Sequence, residues 1–140
     1  MALINAWPAS LPAVQVRVAR PTDRLDAITH FYRDALGLPE LFRFDNHAGY
    51  AGVMLGLPGT GYHLEFTSHV DGSPCPAPTR DNLLVLYFET SAAQQIAAER
   101  MARFGFDATE PENPYWSENA GITIEDPDRW RVVLMPTPVF

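Results

Sequence analysis

The chain has 140 residues, of which 46% are hydrophobic and 19% are charged, and its net charge at pH 7 is −7. This length fits one compact domain. The acidic balance argues against nucleic acid as a partner, because phosphate binding needs a basic face. No apolar run approaches the roughly 18 residues of a membrane span, and the first residues lack the features of a secretory signal. One cysteine, Cys75, rules out an internal disulfide and is consistent with the cytoplasm.

The first half of the chain predicts a strand, a helix and three further strands. Residues 14–19, VQVRVA, alternate apolar and polar residues, which is typical of a half-buried strand with Gln15 and Arg17 on the same side. The helix follows at residues 21–37, with Thr22 or Asp23 as its N-cap and Gly37 at its end. The strand candidates after it are ELFRF (40–44), YAGVMLG (50–56) and YHLEFTS (62–68), separated by turn-forming residues.

The second half predicts the same order of elements. A strand at 83–89 precedes a helix, for which Ser91 and Gln94 have the spacing of a capping box. Gly105 ends this helix, 68 residues after Gly37. Its apolar stripe is predicted to contain Ala93, Ile96, Ala97, Met101 and Phe104, and the closing strands are DATEP (107–111), AGITIED (120–126) and RWRVVLM (129–135).

The repeated order indicates two βαβββ modules, at about 13–69 and 82–137, within a single domain spanning 1–140. The segment 70–81 is rich in proline and glycine and is predicted to be a linker. An amphipathic helix covers one face of a four-stranded sheet and leaves the other face free. We therefore predict an α+β fold in which the two modules form a curved eight-stranded sheet, with the helices outside and a concave ligand-binding cup inside.

The βαβββ order, HFYRDALGL at 30–38 and EDPDRWRVVLM at 125–135 together resemble the vicinal oxygen chelate superfamily of glyoxalases, bleomycin resistance proteins and extradiol dioxygenases. The resemblance extends over residues 13–137, with Arg129 standing where the group often has glycine. It implies the tandem fold predicted above. It also implies a homodimer, for which the proline-containing segment 1–12 is a candidate arm.

The resemblance further implies four metal-binding positions, on the first and last strands of each module. Carried over to this sequence, these positions fall on Ala13 or Gln15, on Glu65, on Leu83 and on Val133. A divalent cation needs several nitrogen, oxygen or sulfur donors, and alanine, leucine and valine supply none. We therefore predict that the metal site of the superfamily is absent.

His63 and Glu65 leave a second interpretation open, because they share one face of a strand. They would hold a metal if Gln15 or a residue of another chain completed the coordination shell. The competing interpretation is that Glu65 pairs with Arg17 or Arg131 inside the cup while His63 forms a hydrogen bond nearby.

Aromatic residues supply candidate walls for the cup. PENPYW at 111–116 places Tyr115 and Trp116 on a loop stiffened by two prolines, which suits them either to cover a ligand or to close one end of the sheet. Tyr50 and Tyr87 are further candidates. The predicted ligand-binding residues are Gln15, Arg17, Tyr50, His63, Glu65, Tyr87, Tyr115, Trp116 and Arg131.

Two functions follow from these patterns. The first is a cytoplasmic, metal-free protein that captures a small molecule in the cup; aromatic walls in an acidic protein favour a cationic planar ligand. The second is a lyase, isomerase or dioxygenase of the same superfamily. This enzyme would depend on a divalent metal, or would use Glu65 as a general base beside an arginine that holds developing negative charge.

Overall fold

The computed structural model describes residues 7–57 and 59–139, so the first six residues of the predicted N-terminal arm lie outside it. The α+β fold and the repeated order of elements are confirmed. The first repeat contains β1 (Val16–Pro21), α1 (Leu25–Thr29) with a π-helical continuation (His30–Ala35), β2 (Glu40–His47), β3 (Tyr50–Gly56) and β4 (Tyr62–His69). The second contains β5 (Leu83–Tyr87), α2 (Ser91–Arg103), β6 (Ala108–Thr109), α3 (Tyr115–Glu118), β7 (Ile122–Glu125) and β8 (Arg131–Met135).

The eight strands form two four-stranded sheets of the same topology, with the orders β1-β4-β3-β2 and β5-β8-β7-β6. In each sheet the first strand pairs in parallel with the last, and the other pairs are antiparallel. The parallel pair arises because the helix carries the chain across the sheet before the remaining strands fold back. This architecture is compatible with the predicted cup, although within 7–57 and 59–139 no strand of one sheet pairs with a strand of the other.

The register decides which side chains share a face. Arg17 lies beside His63 and Ala19 lies beside Glu65. The equivalent neighbours in the second sheet are Leu83 with Arg131 and Val85 with Val133. The position beside Glu65 is therefore Ala19. Ala13 and Gln15 lie before the strand, because β1 begins two residues later than the valine alternation predicts.

The helix-bearing faces of both sheets contribute to one hydrophobic core. Ile28 and Phe31 from the first helix pack in the same cluster as Met101 of α2 and the strand residues Ile124 and Leu134. Phe31 also makes an edge-to-face contact with Phe106, with 4.8 Å between the ring centroids. The two repeats are therefore joined through their helix sides, and the opposite face of each sheet lies outside this shared core.

The helix ends differ from the predicted caps. Neither Thr22 nor Asp23 caps α1, since Thr22 Oγ1 accepts a hydrogen bond from the Arg24 backbone and no side chain caps the helix. Thr90, and not Ser91, caps α2 by accepting a hydrogen bond from Ala93 N. The predicted apolar stripe of α2 is wrong at Ile96 and Phe104, which are 66% and 40% exposed. Gly37 and Gly105 end their helices as predicted, with φ values of +98° and +92°.

Gln94 points inward and does not complete a capping box. Its Nε2 donates to the carbonyl oxygens of Ala120 and Leu134, and the residue is 1% exposed. A buried amide satisfies its donors in this way when backbone acceptors lie within reach. Gln94 thereby attaches α2 to β8 and to the turn before β7.

A buried carboxylate joins the two repeats. Asp126 Oδ2 accepts hydrogen bonds from Arg20 Nη2 at 2.8 Å and from the Tyr32 hydroxyl at 2.7 Å, while Oδ1 accepts from the backbone of Asp128 and Trp130. Burial, and then the negative charge of Asp126, raise the pKa of Tyr32 well above its usual value near 10. The Asp-Pro-Asp segment therefore holds the last strand against the first module. None of the described helices is long and apolar enough to cross a membrane.

Candidate functional site

The face of the first sheet opposite α1 presents a continuous set of chemically useful side chains, which we call the open face. Strand register places Met54 across from Glu65 and Phe42 across from Met54, so three strands contribute to this surface. β1 extends it with Arg17, beside His63. Its members are Arg17, Phe42, Phe44, Met54, His63 and Glu65.

Arg17 lies across the polar part of the open face. Its Nε donates to His63 Nε2 at 2.8 Å, and its Nη2 donates to the sulfur of Met54 at 3.4 Å. Its Nη1 lies 3.6 Å from Glu65 Oε2, which makes an ion pair longer than a hydrogen bond. Two neighbouring strands bring these groups together because arginine and histidine occupy paired positions in β1 and β4.

The burial of these groups decreases from the sheet surface outward. His63 is 6% exposed. The side chain of Glu65 is 13% exposed and that of Arg17 is 46% exposed. The guanidinium is therefore the charged group that a ligand would reach first, and the histidine and the carboxylate lie behind it.

The superfamily implies a divalent metal at this surface, and the residues present do not fit one. A histidine binds a metal through a nitrogen lone pair, and the Nε2 lone pair of His63 already accepts the proton of Arg17 Nε. The guanidinium also places a permanent positive charge beside Glu65. Within the described residues, no group of three or more histidine, cysteine, aspartate or glutamate side chains is arranged to hold a metal.

An aromatic strip continues the open face across β2. Phe42 is 56% exposed, and its ring centroid lies 6.5 Å from that of Phe44. The Phe44 ring packs directly against Gly52. A side chain at that position would clash with it, because a Cβ there would lie 2.4 Å from Phe44 Cε1. Glycine in a strand interior often marks such a close approach. The surface thus joins an apolar strip to a cationic centre.

The equivalent face of the second sheet is covered by its own chain. Thr123 and Val133 are buried at its centre, and a Cβ on the adjacent Gly121 would lie 2.7 Å from Trp116 O. Tyr115 and Trp116 lie in α3, between β6 and β7, with their ring centroids 5.0 Å apart. Tyr115 is 47% exposed, whereas the indole Nε1 of Trp116 is enclosed. α3 therefore covers this face of the second sheet, while the side chain of Tyr115 remains accessible.

Arg131 does not reach Glu65. Its Nε and Nη2 donate to Glu125 Oε2 at 3.2 and 3.1 Å, and its Nη1 donates to the carbonyl oxygen of Glu110. The residue is 4% exposed. Of the two arginines predicted as partners of Glu65, Arg17 takes that role and Arg131 is held within the second sheet, because glutamate occupies the neighbouring position of β7.

The predicted site residues therefore fall into two groups. Arg17, His63 and Glu65 are in contact on the first sheet, and Tyr50 lies farther along the same sheet, with its ring 4.6 Å from that of His69. The other group belongs to the second repeat, with Tyr87 and Arg131 on sheet strands and Tyr115 and Trp116 in α3. Arg131 and Tyr50 line two different cavities, and neither of these is lined by members of both groups. Gln15 is exposed just before β1 and belongs to neither group.

A cavity of about 280 Å³ lies elsewhere, between β1 and β4 of one sheet and β5 of the other. Its lining includes Val18 and Leu84 from the two facing strands, and Arg20 with Trp130. The Arg20 guanidinium lies 4.7 Å from the centroid of the Trp130 ring, within cation–π distance. Because Arg17, His63 and Glu65 are not among its lining residues, this cavity is distinct from the Arg17 cluster.

Sequence reasoning missed Phe42, Phe44 and Arg20. The spacing of two between the phenylalanines in ELFRF places them on one face, but nothing in the sequence shows which face that is. The register with β3 settles this, since Phe42 lies opposite Met54. Arg20 follows a run in which valines define the buried side, so only the contact with Asp126 reveals its role.

The two-sheet fold is that of the vicinal oxygen chelate superfamily. Residues 16–67 match the YycE-like N-terminal domain and residues 81–136 match the YycE-like C-terminal domain. YycE of Bacillus subtilis (strain 168), an uncharacterised protein, is 47% identical over 127 residues, which cover 91% of each chain. The chain therefore belongs to the YycE-like family.

Solved structures agree with this assignment. A 2.0 Å crystal structure of YycE from Bacillus subtilis is 45% identical, with a TM-score of 0.88 over 94% of this chain and 96% of that chain. Leishmania major glyoxalase I is 18% identical, with a TM-score of 0.65, and 86% of this chain and 84% of that chain are covered. TnmS3, an antibiotic binding protein from Streptomyces sp. CB03234, is 20% identical, with a TM-score of 0.64 and coverages of 92% and 99%. The last two similarities show the fold alone.

Proposed function

We propose that the chain is a glyoxalase-like protein that captures a small organic molecule on the open face of its first sheet and does so without a divalent metal. The observation that carries this proposal is the position of Arg17, whose guanidinium uses the lone pair of His63 and neutralises Glu65. The exposed aromatic strip at Phe42 supplies apolar area for the body of the ligand. Binding requires only shape, apolar contact and a few polar groups, and this surface offers them.

A homodimer in the cytoplasm completes the proposal. Within one chain the Arg17 cluster lies on the first sheet, and the aromatics of α3 belong to the second repeat. Phe42, Tyr50 and Tyr87 are each more than 40% exposed, a degree of exposure that suits an interface or a ligand. Placing the second sheet of a partner opposite the first sheet of this chain would enclose a ligand between Arg17 and Tyr115 of the partner subunit.

The known structures of this fold include both binders and enzymes, and the fold does not choose between them. TnmS3 is an antibiotic binding protein, and the Leishmania major protein is a glyoxalase I. The residues of the open face favour the binder, because a metal-dependent enzyme needs donors that this face does not offer. The net charge of −7 suggested a cationic ligand, but in the ion pair at this face Arg17 is the more exposed partner and Glu65 the more buried one.

A second candidate function rests on Glu65. Its carboxylate is partly exposed and lies 3.6 Å from the Arg17 guanidinium. In an enzyme, this pair would act as a general base and a stabiliser of developing negative charge, without a metal. In Glu65→Gln, the rate of a lyase or isomerase reaction of this type would fall sharply, whereas the substrate would still bind.

The test is a ligand screen on the purified protein by thermal shift, followed by native mass spectrometry of the hits. We expect a dimer that binds small aromatic compounds in metal-free buffer, with binding reduced in Phe42→Ala. The matched control is Ile96→Ala, which removes another exposed apolar side chain, 66% exposed against 56% for Phe42, from α2. Binding that appears only after a divalent metal is added, or that is unaffected by Phe42→Ala, would overturn the proposal.

A further inference from the structure

Arg17 on the open face carries more hydrogen-bond donors than the described part of the protein satisfies. A guanidinium carries five N–H groups. One is donated to His63 Nε2 and one to the sulfur of Met54. The distance of 3.6 Å to Glu65 is too long for a hydrogen bond. The remaining N–H groups have no acceptor within the described residues, and the side chain is 46% exposed.

The contacts that Arg17 does make fix its orientation. Arginine keeps its proton throughout the physiological range, so His63 must accept at Nε2 and carry its own proton on Nδ1. That hydrogen bond holds the Nε side of the guanidinium against β4. The side chain is nevertheless 46% exposed, so a ligand can reach it while the hydrogen bond to His63 is kept.

A preorganised guanidinium of this kind recognises oxyanions. Arginine donates two parallel hydrogen bonds to a carboxylate or a phosphonate, and such charge-assisted bonds are about twice as strong as neutral ones. In metal-dependent enzymes, a bound cation polarises the oxygens of the substrate. Here the positive charge belongs to a side chain of the protein, so it is permanent and does not depend on metal supply.

We propose that Arg17 replaces the metal of the superfamily as the cation of this site, and that the natural ligand is a small oxyanion with a flat apolar body. The anionic oxygens bind to the free N–H groups of Arg17, and the apolar body lies on the strip formed by Phe42, Phe44 and Met54. This inference rests on the proposed binding function, since it names the chemical class of the ligand for the same surface.

The test compares benzoate and phenylphosphonate with neutral benzamide, by NMR titration of the full-length protein at low salt. We expect both anions to bind about tenfold or more tightly than benzamide, since a hydrogen bond to a charged group is worth about 1.5–3 kcal/mol. Arg17→Gln should reduce this preference to about twofold, and Glu65→Gln should increase anion affinity by removing a repelling charge.

Arg43→Gln is the matched control, because Arg43 pairs with Glu40 and lies at a position that faces the other side of the sheet. It should leave the preference for anions intact. Equal affinity of the wild-type protein for benzoate and benzamide, or a preference that survives Arg17→Gln, would overturn the inference while leaving a small-molecule binder in place. If none of the three compounds binds, the inference fails, whereas the proposed function fails only if the wider ligand screen described above also finds no metal-free binding. The wild-type comparison needs no variant, so it decides the question even if Arg17→Gln does not fold.

Discussion

Arg17 Nε lies 2.8 Å from His63 Nε2, and the two residues occupy paired positions on the parallel strands β1 and β4. The contact therefore follows from strand register and does not depend on a loop. It determines the direction of the hydrogen bond, because arginine only donates. It also places a cation where a metal ion would need the same nitrogen lone pair.

The first prediction concerns the proton of the His63 ring. We expect the ring to be neutral, with its proton on Nδ1, because Nε2 is an acceptor. The ¹⁵N chemical shifts of the two ring nitrogens, measured in long-range ¹H–¹⁵N spectra, distinguish this tautomer. In Arg17→Met the acceptor role disappears, and the Nε2–H form should gain population. A ring protonated on Nε2 in the wild-type protein would contradict the hydrogen bond.

The second prediction is a gain of function. Arg17→His should bind Zn²⁺ or Ni²⁺ more tightly than the wild-type protein does, because it releases His63 Nε2 and adds an imidazole beside it. With Glu65, the variant would have three donors on one face, as catalytic zinc sites do. Isothermal titration with the metal alone measures this affinity. Arg17→Ala is the control, since it releases the same lone pair without adding a donor and should bind far more weakly.

Much of the fold could be predicted from the sequence because the signals are local. The glycines at 37 and 105 end both helices, since each adopts a left-handed conformation that other residues rarely tolerate. The alternation around Arg17 indicates a strand. It does not show where that strand begins, which is why the positions aligned with Glu65 shifted from Ala13 and Gln15 to Ala19. Register depends on pairing with a distant strand, and no local pattern encodes that pairing.

The polar site was only partly predictable for a related reason. Both Arg17 and Arg131 were reasonable partners of Glu65. The alternation of side chains along each strand places all three on the face of their sheet that points away from the helix. The choice depends on what lies across the neighbouring strand, which is Met54 next to Glu65 and Glu125 next to Arg131. The aromatic strip at Phe42 was missed for a similar reason. A spacing of two shows that Phe42 and Phe44 share one face of a strand, but it does not show whether that face is the buried or the open one.

The third prediction separates the observed helix cap from the one expected from the sequence. Thr90→Ala should destabilise the protein by about 1 kcal/mol, because it leaves the Ala93 N–H without its acceptor. Ser91→Ala should change stability by less than about 0.5 kcal/mol, as for most exposed surface positions. Urea denaturation of both variants measures the difference. A larger loss in Ser91→Ala than in Thr90→Ala would show that the capping box operates after all.

The fourth prediction concerns alkaline pH. The pKa of Tyr32 is raised by burial and by Asp126, so the folded state holds this proton more tightly than the unfolded chain does. The resulting stabilisation is complete below about pH 10, the ordinary tyrosine pKa, and decreases as the pH rises above it. Tyr32→Phe loses a buried hydrogen bond and should be less stable at pH 8 by about 1–3 kcal/mol.

The free energy of unfolding of Tyr32→Phe should also fall less steeply than that of the wild-type protein between about pH 10 and 11. Chemical denaturation at a series of pH values gives both slopes. Identical slopes would show that Tyr32 ionises as freely in the folded protein as in the unfolded chain.

The central claim is that the guanidinium of Arg17 serves as the cation of this site. The most direct measurement is the metal content of the wild-type protein, purified without chelators from cells grown with added zinc, nickel and manganese and analysed by inductively coupled plasma mass spectrometry. The account predicts far less than one metal ion per chain, with no change in Glu65→Gln. One tightly held metal ion per chain that is lost in Glu65→Gln would contradict it.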